Sequence, residues 1–179
     1  MTHGFISLIM KTKSGLTIVE LMIAMAIIVI VMAIAIPTYN RTIKPTADLK
    51  GAARRLYSDV QLARLRAVNR NVAHGLDFYA PECYRVFSDN NLNAQYDAGD
   101  EEIKVVNLGN DYPNVQFDAS QGGGDGVSFA TDSFAITSRG LPAGVAAGQD
   151  SVFLKNGKGE GRQIVVNTMG GVRIQPYNP

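Results

Sequence analysis

The feature that most constrains this chain is an uninterrupted apolar run near its N-terminus. From Leu16 to Ile36 the sequence holds one charge, Glu20, and neither Gly nor Pro. A helix needs about 20 apolar residues to cross a bilayer, and this run supplies them. The segment ahead of it, Met1 to Ser14, has no acidic residue and carries Lys11 and Lys13, and Gly15 stands immediately before the run. Glu20 is the anomaly. An ionised carboxylate in hydrocarbon costs several kcal/mol unless it is paired or protonated, so this side chain demands a partner.

The segment Lys13-Ser14-Gly15-Leu16-Thr17-Ile18-Val19-Glu20-Leu21-Met22 resembles the type IV prepilin signature: a short basic leader, Gly, a hydrophobic first mature residue, Glu at the fifth, then an apolar helix. The resemblance implies that a membrane prepilin peptidase cuts between Gly15 and Leu16 on the cytoplasmic side. The new amino terminus is then methylated, and the helix is kept as membrane anchor and filament core. Such a cut creates an α-ammonium at Leu16, one helical turn from Glu20. The ammonium can neutralise Glu20 in its own chain or in a neighbour's; the resemblance implies the neighbour's, which sets the axial step of assembly. The other reading of Glu20 is a carboxylate near the membrane surface, reaching water.

A rival processing scheme exists. Met1 to Gly15 also fits a signal-peptide n-region, with Ala33-Ile34-Ala35 as an A-x-A site cut after Ala35, which would release or anchor a periplasmic binding domain. The apolar run exceeds the usual length of a signal-peptide core, and Glu20 would have no purpose inside one. Charge alone leaves orientation open. Lys11 and Lys13 favour a cytoplasmic N-terminus, while Arg41, Lys44 and Lys50 follow the other end of the run. The prepilin resemblance implies a single-pass protein of the bacterial inner membrane, N-terminus cytoplasmic and head periplasmic.

Pro37 ends the apolar run and Pro45 follows, each expected to kink or break a helix. The helical pattern nevertheless resumes. Leu49, Ala53, Leu56, Val60, Ala63 and Ala67 fall on one stripe, with Arg54, Arg55, Asp59, Arg66 and Arg70 off it. The spacing predicts one long kinked helix from about Leu16 to Arg70, its second half amphipathic. From Val72 the period becomes two: Val72, His74, Leu76 and Phe78 alternate with Ala73, Gly75, Asp77 and Tyr79. Further strands are expected at Cys83–Ser88, Glu102–Leu108, Val115–Phe117, Val127–Ala130, Phe134–Thr137, Ser151–Leu154, Gln163–Asn167 and Val172–Gln175. Residues 119–126 and 139–150 read as flexible loops. The division is a leader at 1–15, a membrane and assembly helix at 16–37, an amphipathic half at 38–71 and a β-rich head at 72–179. The fold class is α+β and pilin-like: a long N-terminal helix with a C-terminal antiparallel sheet.

Charge is unevenly divided. Residues 41–70 hold eight Lys and Arg against two acids, and residues 71–179 hold seven against thirteen. Removal of residues 1–15 would leave the chain with 15 basic and 16 acidic residues. A basic rod joined to an acidic head fits head-to-stem packing between neighbouring copies, or simply two differently solvated surfaces. With one cysteine, Cys83, and 18 Gly, the head must be held by a packed, loop-rich β core rather than by disulfides.

The stretches Ala63 to Val72, Arg162 to Asn167 and Gly170-Gly171-Val172-Arg173-Ile174 resemble the GspH/FimT family of minor pilins and pseudopilins. The resemblance implies a β-sheet head packed on the helix end, and a place in a type II secretion pseudopilus or a type IV pilus, where the subfamily acts at the filament tip. Some members of the pilus branch bind DNA through a Gly-Arg-x-Arg turn. Here that turn reads Gly170-Gly171-Val172-Arg173, so its first Arg is replaced by Gly171. A DNA-uptake reading would use Arg173 with Arg162, Lys155 and Lys158; the other reading is a hairpin turn with one exposed Arg.

Other chemistry finds little to stand on. Asp89 to Asp100 places oxygen side chains at positions 1, 3, 5, 9 and 12 of a calcium-type loop, but Ala94 replaces its Gly and Asp100 its bidentate Glu. An Asx-rich hairpin turn explains the same residues. Gly157 to Arg162 misses the phosphate-loop spacing and reads as a hairpin tip. His74 lies on a strand and His3 in the leader, so they form no pair, and Cys83 has no evident catalytic partner. The expectation is a structural subunit without a cofactor and without enzymatic activity. Its partners would be other pilin or pseudopilin subunits, the prepilin peptidase and the inner membrane.

Overall fold

The computed structural model describes residues 15–146 and 148–179. Of the expected leader, only Gly15 falls among them. The described chain divides into two compact units, through Tyr39 and from Asn40 onward.

The first unit is helix α1 (Ile18–Thr38), which has no buried residue. A helix that is apolar on all sides cannot bury itself against one core and belongs in lipid or among other helices. A π-helical segment, Tyr39–Ile43, and helix α2 (Lys44–Arg70) follow. Helical backbone thus persists from Ile18 to Arg70. Pro37 does not break it. The Tyr39 N–H bonds to the carbonyls of Ala35 and Ile36, and Thr38 Oγ1 donates to Ile34 O at 2.9 Å. Pro45 falls in the first turn of α2, where a missing donor matters least. The wider π turn immediately precedes it.

The second unit is built on α2. All six residues of its predicted stripe are buried. Asp59 corrects the expectation that it lies off that stripe: it is only 3% exposed. The reason is that α2 is covered by two sheets rather than one. The helix ends at Asn71, whose φ of 55° is left-handed, and the chain turns there into β1.

The first sheet is antiparallel, in the order β3 (Glu101–Asn107), β2 (Cys83–Asp89), β1 (Ala73–Ala80), β5 (Ser133–Ile136), β6 (Pro142–Ala143). The second is β4 (Val115–Phe117), β7 (Gln149–Asn156), β8 (Gly161–Asn167), β9 (Val172–Tyr177). A four-residue helix, α3 (Leu108–Asp111), links β3 to β4. Core residues of both sheets, among them Leu76, Phe78, Tyr84, Phe134, Leu154 and Ile164, form one cluster with the α2 stripe. In β1, His74, Leu76 and Phe78 face that cluster. Ala73 and Gly75 face the other way, where Ala73 packs with Ala94 and with Ala135 of the adjacent β5. Hence both faces of β1 are buried at its start, and alternation fades there.

Two expected loops and one expected strand differ. Val127–Ala130 is not a strand: Val127 makes a single bridge to Val152, and Phe129 turns inward to stack on Phe134 with centroids 4.6 Å apart. Within 139–150, expected to be loop, Pro142 and Ala143 pair with β5. Within 119–126, Gly122–Gly126 forms a π turn, and Gly126 has a φ of 87°. A Cβ on Gly126 would meet Asp118 N at 2.6 Å, so this turn needs its glycine.

Candidate assembly and processing site

The N-terminal site begins where α1 does. Thr17 is the N-cap: its Oγ1 accepts from Glu20 N–H at 3.2 Å. Glu20 reaches back, and its Oε2 accepts from Thr17 N–H at 2.8 Å and from Thr17 Oγ1 at 2.9 Å. This capping box satisfies two donors of the first turn that no helical carbonyl can reach. It also places the carboxylate at the positive end of the helix dipole. Leu16 is 81% exposed, and a Cβ on Gly15 would meet nothing within 4 Å. The three residues singled out from the sequence, Gly15, Leu16 and Glu20, therefore lie within two turns of an exposed helix start. Glu20 has a partner in its own chain that the sequence reading did not identify, Thr17. The signal was present: Thr17 and Glu20 have the spacing of a capping box.

The candidate DNA residues do not converge. Arg162 pairs with Pro176 and shares a face of β8 with Ile164 and Val166, toward α2. Arg173 stands opposite Val165, on the other face, and donates to Gln149 Oε1 at 2.9 Å. Lys155 is held by Asp118 at 2.7 Å, and Lys158 donates to the carbonyl of Thr42. Arg162 instead joins Lys50 and Arg54 of α2 in lining one pocket.

The Asp-rich loop turns its oxygens on itself. Asp89 accepts from the N–H groups of Asn93 and Ala94 at 3.3 and 2.9 Å. Asp97 accepts from the amides of Asn91 and Asn93 at 2.6 and 2.9 Å, and Asp100 from Asn90 N–H at 2.9 Å. The Gly99 N–H and the two Asn amides hold the Asp97 carboxyl below its usual range. This is an Asx-turn network.

Two buried networks were not legible beforehand. Asp118 is fully buried. It accepts from Lys155 Nζ at 2.7 Å, from Ser120 N–H and Oγ at 3.1 and 2.8 Å, and from Tyr177 OH at 2.8 Å. Burial alone would raise its pKa; these bonds outweigh burial and hold the carboxyl well below the usual range. Asp59 is bonded by Tyr84 OH at 2.7 Å and Lys104 Nζ at 2.5 Å. Each aspartate ties elements far apart in sequence, a relation without a local pattern.

One cavity, about 370 Å³, is walled by Phe78, Pro81, Phe117 and Val127, with Asp125 and Asp132 also lining it. Burial, followed by the hydrogen bond and charge of Asp125 and the charge of Asp77, pushes Asp132 up to about 6.

Comparison with known proteins places these features. The model of the family described as type II transport protein GspH matches residues 52–170, and that of the prokaryotic N-terminal methylation motif matches residues 10–36. The chain is 29% identical over 167 residues to the pilin-like protein PilA1 of Thermus thermophilus, covering 92% of this chain and 99% of that one. Among solved structures, the type IV minor pilin FimU of Pseudomonas aeruginosa shares the fold with a TM-score of 0.54. Its identity is 16%, over 75% of this chain and 94% of that one. The minor pseudopilin EpsH from the type 2 secretion system of Vibrio cholerae does so with a TM-score of 0.52. Its identity is 12%, over 72% and 97% of the two chains.

Proposed function

This chain belongs to the GspH family, a minor pilin or pseudopilin of a type II secretion system or a type IV pilus, and on that premise we propose how it is processed and assembled. A prepilin peptidase cuts between Gly15 and Leu16. The mature chain keeps α1 as its membrane anchor, with the amino terminus on the cytoplasmic side and the β-rich head in the periplasm. Leu16 is methylated, and α1 passes from lipid into a filament core made with other pilin subunits. The role is structural, without a catalytic step or a cofactor.

One observation carries this reading: Glu20 sits in the first turn of a helix with no buried residue, five positions past Gly15. None of the described residues of α1 is buried, so its apolar surface is available to lipid or to other subunits. In the described chain Glu20 is held by Thr17. Cutting after Gly15 would place a cation one residue from that cap, within reach of the same carboxylate in this copy or the next. The DNA-uptake reading draws no comparable support, because Arg162 and Arg173 lie on opposite faces of one sheet.

The deciding experiment is N-terminal sequencing and intact mass of the chain recovered from membranes. The expected terminus is methylated Leu16. A terminus at Ile36 would identify the signal-peptide scheme instead, and an intact Met1 would exclude both.

A further inference from the structure

Arg162 is half-buried on β8, on the strand face it shares with Ile164 and Val166. Withdrawing a cation from water raises its need for a counter-ion. Lys50 and Arg54, one turn apart in the first half of α2, stand with it around a pocket of about 270 Å³ whose other walls are Ala53 and Ile174. Among the described residues none of the three cations makes an ion pair. Like charges at the spacing of Lys50 and Arg54 repel, and a third cation beside them adds to the repulsion.

An adjoining pocket of about 350 Å³ shares Lys50 and Arg162 and adds Leu49, Pro176 and Tyr177. Glu160 also lines it, but its carboxylate is engaged by Thr46 and Asn156 at 2.8 and 2.7 Å. It pairs with none of the three cations. Two guanidinium forks and an ammonium supply more donors than one carboxylate can accept. A phosphate ester offers more oxygens and at least one full negative charge, and its ester stem finds room against Leu49 and Pro176. The cations surround one point and do not form a track for successive phosphates of a nucleic acid, and Arg173 lies on the opposite face of the sheet.

We propose that the pocket of Lys50, Arg54 and Arg162 binds the phosphate of a small ester of the glycerol phosphate class. Such a group reaches the chain from two sources, the headgroup of an anionic lipid or a free phosphate ester. The lipid source fits the order of the chain. Only Tyr39–Ile43 separates the apolar α1 from α2, and Arg41 and Lys44 add positive charge in that stretch. A lipid held there ties the head to the membrane until the subunit enters a filament. The phosphate site itself needs only the second compact unit and does not depend on the assembly reading.

The test is thermal melting of the full chain in non-ionic detergent micelles at constant ionic strength. Glycerol 1-phosphate in place of chloride should raise the melting temperature by roughly 3–6 °C at about ten times its dissociation constant. Lys50→Gln and Arg162→Gln should each weaken this binding about tenfold. Without ligand Lys50→Gln should melt no lower than the parent, because it relieves repulsion. Arg162→Lys keeps the stem and the charge but loses the fork, and should weaken binding in the same direction. Arg173→Gln, on the other face, should leave binding unchanged. In nanodiscs, phosphatidylglycerol in place of phosphatidylcholine should give the same rise if the lipid is the source, with little added by the free ester. A rise with the free ester alone assigns the soluble source. A melting temperature indifferent to both, or a rise that Lys50→Gln and Arg162→Gln retain, overturns the site. Binding of a DNA duplex without any response to the ester overturns it in favour of nucleic acid.

Discussion

Asp59 on α2 accepts a 2.7 Å hydrogen bond from the Tyr84 hydroxyl on β2, and both side chains are buried. Lys104 on β3 reaches the other carboxylate oxygen. The helix is thereby bound to two strands by polar contacts within an otherwise apolar interface. Tyr84→Phe should lower stability by about 0.5–1.5 kcal/mol, the net worth of one hydrogen bond. Asp59→Ala should cost more, about 2–3 kcal/mol, because it strands two donors. Thermal melts of the full chain in detergent micelles would rank them; a Tyr84→Phe loss equal to that of Asp59→Ala would assign the whole effect to the tyrosine.

Asp118 sets the acid limb of the stability profile. Its folded pKa lies below that of the unfolded chain. Its stabilisation is therefore fully present above about pH 4 and lost as pH falls through the lowered value. Asp118→Asn should be less stable than the parent at pH 7 and should lose less between pH 4 and pH 2. Parallel acid limbs in the two proteins would show that other carboxylates dominate.

His74 acts in the same direction at higher pH. Burial lowers its pKa most; the Val72 carbonyl opposes this, and the charges of Arg70 and Arg66 add to the lowering. Nδ1 meets Val72 O at 2.8 Å, while Nε2 has no partner among the described residues. The native state favours the neutral ring, so stability declines as pH falls below about 6.5, the unfolded value. His74→Asn, which retains a donor for Val72 O, should flatten the profile between pH 6.5 and pH 5. An unchanged slope there would place the titration elsewhere.

Glu20 caps α1 and, in the proposed assembly, supplies a charge; one substitution separates the two. As the third residue of a capping box it bonds Thr17; as a charge it can meet an ammonium. Gln keeps the cap and removes the charge. Glu20→Gln and Glu20→Ala should both be processed at Gly15 and inserted, and both should assemble poorly. Normal assembly of Glu20→Gln alone would make the cap the essential part, and normal assembly of both would leave Glu20 a surface carboxylate.

Legibility followed the range of the interaction. The unbroken apolar run, the period-3.6 stripe of α2 and most of the period-2 strands are local patterns, and they appear in the chain where the sequence puts them. Strand Val127–Ala130 failed because Phe129 is claimed by Phe134 and not by a neighbouring strand. The pair Pro142–Ala143 was hidden because two residues carry no period. Asp59 looked like a surface residue because nothing in its own helix announces Tyr84, 25 residues on. Arg162 and Arg173 looked like neighbours because they lie on adjacent strands; register parity puts them on opposite faces. At the N-terminal site, the position of Glu20 could be read in full, while its cap was overlooked.

Arg64, near the end of α2, donates to the carbonyl of Gly170 in the turn between β8 and β9, across 106 positions of sequence. The α2 stripe is likewise covered partly by residues of β7 and β8. A chain that emerges in order of synthesis therefore presents its amphipathic helix long before the strands that shelter it arrive. Contacts this distant make folding late and slow, since the loop must close before any of them forms. The head is completed only when its last hairpin has been made, so no foldable subunit exists until the whole chain has been synthesised.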